Sequence, residues 1–170
     1  YFQAIGGTSM ASPHIAGAGA LLKDLHPDWT PGQIKSALMM TSWTDGLVKE
    51  DGATPADPFD MGSGRVDLNS AGFPGLTISA SAQDFVDLEN ELWNANYPSL
   101  YVPVMPGRIT VQRTVHNETN LPRNWKLTPR STPDVTIIVP KHVQVPPNGD
   151  ATFDITVDAR NVPLGEVRHA

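Results

Sequence analysis

Residues Ile15-Ala16-Gly17-Ala18-Gly19-Ala20-Leu21-Leu22 are small or apolar without interruption. A run with no polar face predicts a helix enclosed by packing on all sides. Farther on, Ile34, Ala37, Leu38 and Thr41 recur at helical spacing and predict a helix with one apolar face, of the kind that covers a core. From Ser42 to Phe59 the pattern dissolves among Asp, Gly, Thr and Pro, as in a surface loop. Leu76 to Ala80 suits a short strand, and the acidic stretch after it, with Asp84, Asp87, Glu89 and Glu91, reads as a solvated connector. Beyond it the period changes to two. Ile109, Val111 and Val115 alternate with Thr110, Gln112 and Thr114, with Arg113 breaking the apolar face. Val135, Ile137 and Val139 repeat the pattern, as do Ala151, Phe153, Ile155 and Val157. Strands divided by turns such as Pro146-Pro147-Asn148-Gly149 predict an antiparallel β-sandwich.

The helix ends carry their own signals. Ser9 as N-cap would place Pro13 in the first turn, where a missing N–H costs nothing. Lys23-Asp24-Leu25-His26-Pro27 ends the first helix. Thr30 as N-cap, Pro31 at the first helical position and Gln33 in a capping box open the second, with Trp29 spaced to staple onto Ile34.

Composition narrows the class. Length allows one large or two small domains within 170 residues, and 13 of the 16 Pro, with 8 of the 14 Gly, lie after residue 50. With 12 basic against 18 acidic residues the formal charge is -6, and no basic run suits a phosphate backbone, so nucleic acid is not an expected partner. The absence of cysteine removes disulfides and thiolate metal sites. The apolar run from Ile15 to Leu22 falls far short of the roughly 20 residues that span a bilayer.

The chemistry gathers at Gly7-Thr8-Ser9-Met10-Ala11-Ser12-Pro13-His14. Small neighbours let a substrate backbone come close to the Ser9 hydroxyl. A helix beginning there would surround it with free amides and the positive end of the dipole, suited to a developing oxyanion. His14 is not the base. Five residues of helix turn through roughly 500°, which points the two side chains to different faces.

The octet resembles the serine motif of the subtilisin-like serine peptidases, the subtilases, in which Gly-Thr-Ser-Met-Ala-x-Pro-His surrounds the catalytic serine. The resemblance implies that Ser9 is the nucleophile and that its own backbone N–H is one donor of the oxyanion hole. It also implies a base and an orienting acid upstream of Tyr1, since the family's triad runs Asp, His, Ser. One departure is Gly6, where the pattern expects Ser. His26-Pro27-Asp28-Trp29-Thr30-Pro31 and Ile34-Lys35-Ser36-Ala37-Leu38-Met39 continue the likeness, and Phe59 to Asp67 resembles the segment that closes subtilase catalytic domains. Asn94 to Leu100 and Arg113 to Asn117 are similar to the fibronectin type III-like domain that follows in many subtilases.

The expected fold class is therefore mixed: the C-terminal helical part of an α/β subtilisin-like catalytic domain over 1–75, a connector over 76–98, and a fibronectin type III-like β-sandwich, truncated, over 99–170. The implied activity is that of a serine-type endopeptidase acting on polypeptides in the longer protein, secreted or extracellular, with this piece alone inactive for want of the triad Asp and His. No cofactor is implied; structural calcium in the longer protein is compatible with the family, with no ligand set legible here. Asp57, Asp60 and Asp67 lack the dense alternation of a calcium loop and read as acidic surface.

Two rivals stand beside this reading. One is an α/β-hydrolase, since Gly7-Thr8-Ser9-Met10-Ala11 is one residue away from a nucleophile elbow, with Asp45 or Asp60 and His116 or His142 as partners; the later half lacks the alternating strands and helices that fold requires. The other is a non-catalytic β-sandwich binding or spacer module of a pseudoprotease. Asn117-Glu118-Thr119 adds a glycosylation sequon.

Overall fold

The computed structural model describes residues 6–170. Its helical part contains α1 (Thr8–Leu25), α2 (Pro31–Met40) and the single turns α3 (Pro58–Met61) and α4 (Leu68–Ala71). Helix α2 starts as its sequence dictates: the Thr30 side chain accepts from the Gln33 amide at 3.2 Å, and the Gln33 side chain accepts from the Thr30 amide at 2.9 Å. Trp29, just outside, is buried with Leu22, Ala37 and Ala71, and Ile34 and Leu38 pack against them. His26 stacks on Trp29 with ring centroids 3.8 Å apart and reaches the Gly72 carbonyl at 2.7 Å, closing the turn after α1 onto α4.

Helix α1 departs from the expectation of burial on all sides. Only Ala18 and Leu22 are buried, on the side that meets α2, while Met10, Ile15, Leu21 and Leu25 are exposed. The apolar run is wider than the stripe one neighbouring helix can cover.

The region from Ser42 to Phe59 is more ordered than a loop of turn residues suggests. Paired bonds join Trp43 to Arg65, at 2.8 Å in each direction, and a bridge joins Val48 to Pro55. Gly64 makes the first pairing possible, because it adopts φ +113° and a Cβ there would collide with the Trp43 carbonyl.

The β-rich part has two antiparallel sheets. One runs β1 (Leu76–Thr77), β2 (Arg108–Asn117), β6 (Asp150–Asp158), β4 (Thr136–Ile138); the other pairs β3 (Arg123–Lys126) with β5 (His142–Val145). In β2 and β6 the alternation behaves as written, with Val111 opposite Ile155 and Val115 opposite Ala151. The two sheets share one apolar layer: Ile78, Val115, Val143 and Val145 are buried together, against Trp125, Leu127, Ala151 and Phe153. On the outer face Thr110 bonds Thr156 and Thr114 bonds Thr152, each at 2.8 Å.

Between β1 and β2, the acidic stretch expected as a connector holds a helix, α5 (Ala82–Asp87), capped by Ser81 and Asp84. The chain then passes through a 3-10 turn, Leu92–Asn94. Arg113, the break in the apolar face, explains how this segment is held. Its buried guanidinium donates to the carbonyls of Trp93 (3.0 Å), Tyr97 (3.0 Å) and Gln112 (2.9 Å), and burial lowers its pKa from the usual arginine value. Asn96 adds a two-way clasp on Thr114, accepting from its amide and donating to its carbonyl, both at 2.9 Å. The two stretches that resemble the fibronectin type III-like domain are thus in direct contact.

The helical and β-rich parts meet where α2 lies along β1. The buried Ser36 hydroxyl accepts from the Ile78 amide at 2.7 Å. At Gly32 a side chain would run into Ser79, so glycine permits the close approach.

Candidate active site around Ser9

The octet builds a helix start, one residue pair earlier than the cap expected at Ser9. Gly7 is the N-cap, with φ 146° and ψ 164°, a conformation open essentially to glycine alone. Thr8 and Ser9 are consequently the first two helical residues. The amides of Met10 and Ala11 both return to the Gly7 carbonyl, at 3.0 and 3.1 Å, while those of Thr8 and Ser9 have no acceptor among the described residues. Ser9 is exposed, so its hydroxyl and its N–H sit together at the positive end of an 18-residue helix. Among the described residues nothing lies within 4 Å of where a Cβ at Gly6 would stand, so none of them bars the serine that the family pattern expects there.

Pro13 lies inside α1, past the first turn. Its missing N–H removes the i to i−4 bond that the Ser9 carbonyl would otherwise accept. His14 turns back along its own helix, its Nδ1–H donating to the Met10 carbonyl at 2.6 Å.

Among the described residues no histidine hydrogen-bonds Ser9. His26 is held by Gly72 and Trp29, His116 bonds Asp150 at 2.7 Å across β2 and β6, and His169 meets the edge of Phe59. The hydrolase constellation is not assembled either, since Asp60 is bound to Lys49 at 3.0 Å and to the Asp57 amide. Tyr1–Ile5, where that reading needs a strand, lie outside the described residues.

The carboxylates considered for calcium cap helices instead. Asp57 accepts from Phe59 and Asp60 at the start of α3, and Asp67 from Asn69 and Ser70 at the start of α4. Two carboxylates here have lowered pKa values: Asp60 is held below the usual carboxylate range by the Asp57 amide and then Lys49, and Asp67 by the Ser70 hydroxyl and then its amide.

The sequon is built into the fold. Asn117 is fully buried; its Nδ2 donates to the carbonyls of Leu121 (2.9 Å) and Pro146 (3.0 Å), and its Oδ1 accepts from the Thr119 amide (3.0 Å) and hydroxyl (2.8 Å). The nitrogen a glycan would need is spent on the turn, a fact that no triplet reveals.

Residues 1–67 match the Subtilase family model. Subtilisin-like protease SBT2.5 of Arabidopsis thaliana is 34% identical over a match covering 98% of this chain and 25% of its own length. Subtilisin-like protease SBT5.6 of the same plant is 38% identical, covering 65% of this chain and 17% of its own. Among solved structures, the FixG-related protein from Vibrio parahaemolyticus aligns with a TM-score of 0.31 and 15% identity, over 54% of this chain and 71% of that one. The chain thus spans a quarter or less of the length of these plant relatives. Among the described residues no helix is long and apolar enough to cross a membrane. The octet at the start of α1, the helical sequence after it, the family-model match and the likeness to the plant proteases agree: the chain belongs to the subtilase family.

Proposed function

We propose that Ser9 is the nucleophile of a serine endopeptidase to which this chain contributes the serine helix. The observation that carries the reading is the placement of an exposed serine in the first turn of α1, its own amide without an acceptor among the described residues. In that reading Ser9 Oγ adds to a peptide carbonyl and the Ser9 N–H receives the developing oxyanion. Collapse releases the amine and leaves an acyl-enzyme that water hydrolyses. The base, its orienting acid and the second oxyanion donor come from the rest of the protein, so the 170-residue chain alone is inactive. The substrate is a polypeptide and the site of action is extracellular, as the family membership suggests.

The division into 1–75 as catalytic-domain portion, 76–98 as connector and 99–170 as a fibronectin type III-like β-sandwich belongs to the same proposal. Two sheets closing on one apolar layer support it. The test is covalent labelling of the full-length protein by a fluorophosphonate probe. Labelling at Ser9, abolished by Ser9→Ala, is expected; labelling that survives Ser9→Ala overturns the assignment, and no labelling of the unsubstituted protein favours the pseudoprotease reading.

A further inference from the structure

Glu118 is the side chain that crosses from the β-rich part to the helices. Its Oε2 accepts from Trp29 Nε1 at 3.0 Å, and its Oε1 accepts from Gln33 Nε2 at 3.0 Å and from Thr77 Oγ1 at 2.5 Å. The Glu118 backbone is fixed as well, its amide donating to the Gly75 carbonyl at 3.0 Å. The neighbour Asn117 is fully buried, which anchors the carboxylate's base. No basic side chain among the described residues forms an ion pair with it. Each of these bonds to the carboxylate is directional, so together they fix the position of the side chain.

What it grips matters for Ser9. Trp29 and Gln33 flank the start of α2, and Gln33 is already committed to capping that helix through its other amide atom. Helix α2 in turn carries α1: Gly19 lies against Ile34, and Leu22 is buried with Trp29 and Ala37. The buried residues of α1 are Ala18 and Leu22, both in its second half. From Gly19 to Ser9 is about 15 Å of helix at 1.5 Å per residue, so a tilt of only about 4° at the contact moves Ser9 by about 1 Å. A misplacement of that size is enough to cost on the order of a hundredfold in a reaction that depends on aligned groups.

We propose that Glu118 is a positioning residue for Ser9, holding the serine helix in register with the β-rich part through Trp29, Gln33 and α2. The proposal rests on Ser9 being the nucleophile. It is tested with Glu118→Ala and Glu118→Gln, read in two ways. In the 170-residue chain, the Trp29 indole N–H resonance should move and its exchange quicken in Glu118→Ala. In the full-length protein, the rate of fluorophosphonate labelling at Ser9 should fall at least tenfold in Glu118→Ala with the fold retained. Glu118→Gln keeps a carbonyl acceptor but offers a second donor to its neighbours, and should fall between the two. An unmoved Trp29 signal overturns the joint. A moved signal with labelling unchanged in folded Glu118→Ala, or Glu118→Gln no better than Glu118→Ala, overturns the positioning role. If the unsubstituted protein is not labelled at all, the nucleophile assignment fails, and the positioning of Ser9 falls with it while the indole signal still reports whether Glu118 holds α2.

Discussion

Helix α1 exposes Met10, Ile15, Leu21 and Leu25, whereas strand β2 hides Val111 and Val115 and even tolerates Arg113 and Asn117 beside them. Both stretches are read from sequence as structure with a buried side, and they differ in who supplies the cover. A strand pair brings its own second sheet: β5 lies across β2 and β6, and Val143 and Val145 complete the layer. The helix pair α1 and α2 supplies one stripe, and the remaining apolar surface of α1 has no cover among the described residues. The polar residues follow the same division. Asn117 and Arg113 are buried with their bonding groups paired, a condition met only inside a closed layer, since an unpaired buried group costs about 1–3 kcal/mol. The lesson is that the β-rich part carries its own enclosure and the serine helix borrows its support from α2 and, through α2, from β1.

If so, damage to the β-rich enclosure should be felt most widely. Asn117→Ala strands the carbonyls of Leu121 and Pro146 and the amide of Thr119, an expected loss of about 3 kcal/mol. That is a fall in Tm of about 6–12 °C for a chain of this size. Asn117→Asp should be worse at neutral pH despite its similar size, because it sets a buried carboxylate against carbonyl oxygens. A thermal melt placing Asp above Ala would contradict the bonding described. Expressed in a glycosylating host, the folded protein should carry no glycan at Asn117, which peptide mass spectrometry reads directly.

A smaller and more local loss is expected in the helical part. Gly64→Ala forces a side chain into a positive-φ position, with its Cβ pressed on the Trp43 backbone, at about 1–3 kcal/mol. Amide exchange at Trp43 and Arg65 should quicken while β2 and β6 remain protected. Equal loosening of both parts would show that they unfold as one unit.

The smallest effect concerns acid. The Arg160 side chain, and next the Arg160 amide, hold Asp158 at about 2, below its ordinary carboxylate value. Its folded pKa being depressed, the contribution is present above the unfolded value near pH 3.8 and is lost as pH falls through about 2. Asp158→Asn should therefore cost a small amount of stability at neutral pH, small because the pair is exposed, and its difference from the parent should vanish as pH falls from about 4 to about 2. A large loss at pH 7 would assign Asp158 a role beyond this exposed pairing.

How much could be read in advance follows the same divide. Helices α1 and α2 were legible because their patterns run for two turns or more, and α2 carries both its cap and its proline. Strands β2 and β6 were legible because period two persists over nine residues or more. Strands β3 and β5 were not: Arg123-Asn124-Trp125-Lys126 offers one apolar side chain, and His142 to Val145 only two. Helix α5 did leave a signal, the Ser81 and Asp84 capping box, masked by the acidity of the run. The serine octet marked a helix start, yet it pointed to Ser9 as the cap where Gly7 is, since the glycine conformation at Gly7 is not written in residue type alone. Glu118 lay beyond reach, because its partners Trp29 and Gln33 are 89 and 85 residues away in sequence.

Hydrogen exchange on a dilute monomer of the chain tests the difference between the two parts most directly. The account predicts slow exchange for Ala151 to Val157, in the middle of the larger sheet, and fast exchange for Ile15 to Leu22, whose helix is fastened along one side only. Equally strong protection of both segments would contradict it, by showing that the serine helix is already enclosed without any further support.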